Sequence, residues 1–382
     1  MPTDALVIVR KTITTLWIAL AALVAFGLVL VYSASVAQKG GAVPFMKMQT
    51  VAAAVGLLAA FVLSRLDYRV WQKPACAIAL VILCVAASSL VFLFPAVNGS
   101  RRWVRLAGIS LQPSEFARIG MIMVMAAWYG KIGFKSRTFL KGFLYPGLIL
   151  GLMAAPVARS PDLGASIVIA ATCGTVMVAA RVKWRYLILA VVLCVLAGSL
   201  FVMSSPNRRS RVISYYESMR GLESSEDTAY HRNQSIEAFV RGGPMGSGIG
   251  RSIQKHKYLP EANTDFIFSI AGEELGLPAT IGVVCAFLVI LFCGVYVAYH
   301  AHDRFGRLLA LGLTILLTFE AGFNIGMVTG CLPTKGLALP FISYGGTSMV
   351  ASCLAMGLII AVGATSANEE MSPLMRDACQ NV

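Results

Sequence analysis

Apolar runs of about 18 residues or more recur along this 382-residue chain, and runs of that length admit few folds. As a helix, such a run crosses about 30 Å of hydrocarbon. Inside lipid every backbone N–H and C=O must be satisfied within the protein, which leaves only helices or a closed barrel. The ten-residue alternation of a barrel strand is absent. Composition agrees: 57% of residues are hydrophobic and 13% charged, against roughly 25% charged in soluble domains. The expectation is an all-α polytopic membrane protein forming one domain over residues 1–382.

The pattern predicts about ten spans. The first run, from about Ile13 to Ala34, follows Arg10 and Lys11. Ser35-Val36-Ala37 resembles a signal-peptide cleavage site, but the core exceeds the roughly 7–15 residues of a signal h-region, so the run counts as a span. Further spans are expected at about Phe45–Leu63, Cys76–Pro95, Phe116–Tyr129, Leu140–Val157, from Asp162 onward, Tyr186–Met203, Pro278–Ala298, Leu309–Val328 and Phe341–Val362. Between the seventh and eighth lies a polar loop, about 205 to 265, that ends in LPEANTDFIF.

Lysine and arginine set the orientation. Ten spans put both termini on one side, and the 32 basic residues then divide into 15 on that side and 17 on the other. Nine of the 17 lie in the long loop, which the positive-inside rule largely ignores, and four more are Arg101, Arg102, Arg105 and Arg118. The termini are therefore expected to be cytoplasmic and the long loop external. Basic segments on the outer face point to an anionic ligand there. The net charge of +14 adds less, because cytoplasmic cations are accounted for by anionic lipid headgroups. Nucleic acid is not expected. The nine cysteines are scattered with no CxxC pair, so neither a disulfide framework nor a zinc site is expected. His300 and His302 read as solvated residues at a cytoplasmic turn.

Several stretches carry candidate chemistry. In NGSRRWVRLAGISLQPSEFAR (Asn98 to Arg118), Asn98-Gly99 reads as a turn and Ser114 as a helix N-cap. The plainer reading pairs Glu115 with the helix N-terminus and with Arg118 at i+3. The functional reading makes Arg101, Arg102 and Arg105 a bidentate site for a pyrophosphate. Asp265 follows Asn263-Thr264 ahead of an apolar run, so an N-cap and a functional carboxylate at membrane depth weigh about equally. The cluster GGPMGSGIG (Gly242 to Gly250) is not a nucleotide loop, since no strand precedes it, and reads as a turn. Arg251, Lys255 and Lys257 after it could line the path of an anionic lipid head or be solvated.

Together these stretches resemble the SEDS family (shape, elongation, division and sporulation) of polytopic peptidoglycan glycosyltransferases. The resemblance rests on the Asn98–Arg118 segment and on LVYSAS around Ser33, RLDYRVW (Arg65 to Trp71) and SPDLG (Ser160 to Gly164). It continues in LPEANTDFIFSIAGEELG (Leu259 to Gly276) and NIGMVTGCLPTKGLALPFISYGG (Asn324 to Gly346). The matches run nearly the whole chain in the family's order. LPTKG at Leu332 to Gly336 is similar to the division branch, whereas the elongation branch usually has PVTG. Two departures stand out: the loop sequence YYESMRGLESSEDTAYHRNQ is unusual, and Glu320 sits where Gln is expected.

What the resemblance implies is polymerisation of lipid II on the outer face of the cytoplasmic membrane, with undecaprenyl pyrophosphate leaving the growing glycan. Asp265 is the family's catalytic position by motif. Such a displacement needs one base for the acceptor hydroxyl and cations for the leaving group, not paired carboxylates. Arg101, Arg102, Glu115, Arg118, Lys335 and Ser343 are the expected substrate-binding residues, with Lys335 on the pyrophosphate. Lys335 as a snorkelling lysine is the plainer alternative. Glu273 and Glu274 are given no catalytic role, one of them facing polar neighbours, and Ser343 to Gly346 is expected to permit close helix packing. No cofactor is expected beyond a divalent Mg or Mn ion, for which the resemblance leaves room. Expected partners are a class B penicillin-binding transpeptidase and other division proteins. A lipid II flippase using Glu320 and Asp162, or a non-catalytic division scaffold, are the rival functions.

Overall fold

The apolar runs become helices, which satisfy the backbone of each segment within itself in lipid. The computed structural model describes residues 2–38, 41–95, 101–106, 109–159, 163–203, 209, 226–256, 259, 261–332 and 336–380. Its helices, in chain order, are α1 (Pro2–Ser35), α2 (Ala42–Arg65), α3 (Pro74–Leu90), α4 (Pro113–Ile132), α5 (Tyr145–Arg159) and α6 (Leu163–Ala179). They continue with α7 (Trp184–Met203), α8 (Glu226–Gly242), α9 (Ile267–His300), α10 (Arg304–Val328) and α11 (Gly346–Gln380). Among the described residues seven helical stretches are long and apolar enough to cross a membrane, and two shorter apolar helices, Gly164–Ala179 and Trp184–Leu200, accompany them. The chain is a multi-pass helical membrane protein.

Four features differ from the sequence reading. The first helix reaches back to Pro2, well before the apolar core. The fourth is longer than expected, because Pro113 takes the first helical position; its N-cap is Gln112, and the Ser114 hydroxyl accepts from the Gln112 side-chain Nε2 instead of capping. The long loop is not all loop, since α8 lies within it. The fold is also not purely helical: β1 (Val104–Leu106) and β2 (Ile109–Leu111) pair antiparallel, Arg105 opposite Ser110. Asn98-Gly99, Asp162 and Lys257 lie outside the described residues.

The core is built by close approach of small residues. A Cβ on Gly357 of α11 would lie 2.6 Å from Ala60 of α2, and one on Gly27 of α1 would lie 2.6 Å from the Phe341 carbonyl. Gly345 and Gly346 have no such neighbour closer than 3.6 Å, so the close packing expected there falls instead on Gly27 and Gly357. At the opposite end of the bundle from Asp265, the Tyr68 hydroxyl donates to Asp303, and Arg69 pairs with Glu369. Burial, then the Asp303 carboxylate, push the Tyr68 phenol above its ordinary value. His302 is exposed, as expected, near Glu369 and the Ser366 carbonyl.

Candidate functional site

Asp265 ends a tight turn whose peptides are fixed from three directions. Glu261 adopts a left-handed φ of 57°, and its carbonyl accepts from the Thr264 and Phe266 amides. Asn324 of α10, fully buried, donates to the Asp265 carbonyl at 2.8 Å and to the Leu337 carbonyl at 2.7 Å. The Ser343 hydroxyl donates to the Thr264 carbonyl at 2.7 Å and accepts from the Leu339 amide at 2.8 Å, while the Tyr344 amide donates to the Asn263 carbonyl. Gln49 of α2 then clamps this second segment, donating to the Ser343 carbonyl and accepting from the Gly345 amide.

The carboxylate faces the 336–345 segment. A Cβ on Gly336 would stand 2.9 Å from Asp265 Oδ2, so this backbone lies directly against the acid. The helix after it is capped at Phe266, with no side-chain capping bond, so Asp265 is not the N-cap that its sequence neighbours suggest. Its place is set through its backbone. Burial raises the Tyr344 phenol above its ordinary value.

The half-helix after Asp265 is held as firmly. It breaks at Gly276 (φ 69°), two residues before Pro278, which ends the run of backbone hydrogen bonds. The carbonyls orphaned by that break are taken up by the glycine loop: Ser247 and Gly248 amides donate to the Glu273 and Glu274 carbonyls, both at 2.9 Å. A Cβ on Gly246 would lie 2.3 Å from the Glu274 carbonyl, which explains the glycines. Both glutamate side chains point into polar company. Glu273 accepts from the Ile253 amide and the Ser252 hydroxyl. Glu274 accepts from the Ser33 hydroxyl of α1 and pairs with Lys255 at 2.8 Å, the ammonium and carboxylate being 1% and 0% exposed. Lys255 therefore neither lines a lipid path nor meets water; it is enclosed because Glu274 compensates it.

The arginine-bearing segment reaches the same neighbourhood through α11. Thr347, in the first turn of α11, accepts from the Gln112 amide and donates to the Ser110 carbonyl, which ties the hairpin next to the Ser343 turn. Arg101 is exposed and donates to the Phe92 carbonyl, Arg102 is half-buried, and Arg105 is exposed on β1. Arg118 lies deeper, 3% exposed, and its two terminal nitrogens are engaged by Glu115 and Glu320. Arg118 and Glu115, both expected to bind substrate, form with Glu320, four residues from Asn324, a brace between α4 and α10. Ser343, likewise expected to bind substrate, is 3% exposed and donates to the Thr264 carbonyl of the Asp265 turn. Lys335 lies outside the described residues. Asn324, Gln49 and Ser33 were not singled out from sequence; the signal that marks them is a polar side chain within an apolar run. Among the described residues no three His, Cys, Asp or Glu side chains converge as metal ligands.

Comparison with known proteins follows the same outline. The FtsW/RodA/SpoVE family, described as "Cell cycle protein", matches residues 13–368. The probable peptidoglycan glycosyltransferase FtsW of Geobacter metallireducens is 40% identical over 348 residues, covering 89% of this chain and 92% of the relative. That of Coxiella burnetii is 36% identical, covering 91% and 94%. Among solved structures, a chain of a peptidoglycan synthase complex that coordinates polymerization and crosslinking superposes with a TM-score of 0.76 at 24% identity, covering 92% of this chain and 97% of the other. The rod shape determining protein RodA of Thermus thermophilus superposes with a TM-score of 0.67 at 24% identity, covering 91% and 95%. At those identities the structures speak for the fold.

Proposed function

Because this chain belongs to the FtsW/RodA/SpoVE family of cell cycle proteins, we propose that it is a peptidoglycan glycosyltransferase of the division branch. It joins lipid II units at the outer face of the cytoplasmic membrane, with both termini inside. The curated relatives named FtsW, at 36–40% identity, support the branch.

The observation that carries the chemistry is the fixing of Asp265 by its backbone, with Gly336 against its carboxylate. Asp265 takes the proton of the acceptor 4-hydroxyl. The hydroxyl oxygen then bonds to the anomeric carbon of the growing strand as the carbon–oxygen bond to undecaprenyl pyrophosphate breaks. The electron pair leaves with the pyrophosphate, so cations and not a general acid are required on that side. Arg101, Arg102 and Lys335 are assigned to that charge. A magnesium or manganese ion, when bound, would supply further positive charge to the leaving pyrophosphate. A class B penicillin-binding transpeptidase is the proposed partner, in keeping with the synthase complex whose chain shares this fold.

The test is polymerisation of purified lipid II by the purified chain with that partner, wild type against Asp265→Asn. Asn keeps the volume but cannot accept the proton, so the rate is expected to fall by about 10²–10⁴-fold while partner binding is retained. Polymerisation at the normal rate by the Asn variant would place the base elsewhere. Transbilayer movement of lipid II by both forms without polymer would favour a flippase.

A further inference from the structure

At the end of the bundle away from Asp265, the α6–α7 turn that carries Arg181 meets the first turn of α10, which carries Arg304 and Arg307. Helix α6 closes with the Arg181 amide donating to the Val178 carbonyl and the Val182 amide to the Met177 carbonyl. This closure places Arg181 at a φ of 60°, a left-handed position that glycine normally fills and that is unfavourable for any other residue. A strained conformation held at a surface turn points to a use for the side chain it carries. Arg304 is anchored beside it: one terminal nitrogen donates to the buried Ala180 carbonyl at 2.9 Å, which also accepts from Ser136 at 2.8 Å. Burial, then the charges of Arg181 and Arg307, lower the Arg304 guanidinium below its ordinary value, and the Arg181 and Arg307 side chains are exposed.

No carboxylate among the described residues pairs with any of the three. The adjacent Asp303 is engaged elsewhere, by the Tyr68 hydroxyl, the Arg69 guanidinium and the Gly306 amide. Beside the cluster stand two large exposed aromatics. Phe134 is 79% exposed with Arg304 5.9 Å from its ring centre, and Trp184, at the start of α7, is 71% exposed. Exposed aromatics at helix ends mark the level of the lipid headgroups. Topology alone would be served by scattered cations and by a glycine at position 181; it does not require three like charges held together at a conformational cost.

We propose that Arg181, Arg304 and Arg307 form a binding site for the phosphodiester headgroup of an anionic phospholipid, whose acyl chains lie against Phe134 and Trp184. Guanidinium forks suit phosphate oxygens, and basic pockets between membrane helices on this side of a bilayer recruit such headgroups. The lipid would neutralise the cluster and fasten α6 to α10 at the end remote from the polymerising site.

The experiment titrates the full chain, purified in mild detergent, with phosphatidylglycerol, with phosphatidylcholine and with soluble glycerol phosphate, reading lipid adducts by native mass spectrometry. Phosphatidylglycerol is expected to bind well above phosphatidylcholine. Arg307→Gln and Arg181→Gly should each weaken it about fivefold, and the pair about 25-fold. Arg181→Gly also relieves the left-handed strain, so its unfolding temperature should hold or rise, which separates lost binding from lost folding. Equal binding of the two lipids, or unchanged phosphatidylglycerol binding in Arg181→Gly, overturns the site. Glycerol phosphate binding as tightly as the lipid overturns the lipid as its occupant.

Discussion

At the scale of single residues, the charges that matter most for architecture are those withdrawn from water. Lys255 and Glu274 are almost wholly enclosed, so removing one partner leaves the other buried and uncompensated. Lys255→Met is expected to destabilise by about 3–5 kcal/mol, whereas Lys255→Met with Glu274→Met should recover most of that loss. Thermal unfolding of the two single variants and the double in detergent measures the coupling, and additive losses would show that the pair does not act as a unit. Ser343 belongs to the same scale. Ser343→Ala strands the Thr264 carbonyl and the Leu339 amide, at about 1–3 kcal/mol. Because those bonds set the Asp265 turn, the polymerisation rate at saturating lipid II should fall further than affinity does. An unchanged rate would mean that the turn holds its shape without Ser343.

The broken helix α9 is the element on which the site depends. Gly276 combines a left-handed φ with a neighbour, the Gly246 nitrogen, 2.5 Å from where a Cβ would be, so Gly276→Ala should cost upwards of ~2 kcal/mol. Gly282, in the same helix with nothing within 4 Å of such a Cβ, is the internal control; Gly282→Ala should be neutral or slightly stabilising. Equal effects on unfolding temperature would show that the break is not specified by the glycine. The sequence announces this break through Gly276 and Pro278, and the apolar runs announce the other helices. What it does not announce is where polar side chains within those runs point. Asn263-Thr264-Asp265 has the composition of a cap, yet Phe266 takes that position. Lys255 looks like any loop lysine until Glu274, nineteen residues on, is seen to enclose it. The partners that decide such cases, Ser33 and Asn324 among them, come from remote parts of the chain, and a one-dimensional pattern carries no information about which helix face will meet which.

At the scale of the whole molecule, the proposed orientation, with the loop containing α8 and the glycine cluster outside, is open to a direct test. Met245, 84% exposed in that cluster, offers a reporter. Met245→Cys in an otherwise cysteine-free chain should react with a membrane-impermeant thiol reagent added to intact protoplasts, and labelling only after lysis would reverse the orientation. The Ser33–Glu274 bond bears on how the protein is made. Its two ends are 241 residues apart in sequence, and Gly357, which fits against Ala60, is synthesised later still. The helices that leave the ribosome first therefore wait in the bilayer, incompletely packed, until nearly the entire chain has been translated. A chain released early would expose the surfaces of α1 and α2 meant for α9 and α11, and it is at this stage of biogenesis that membrane quality control would meet it.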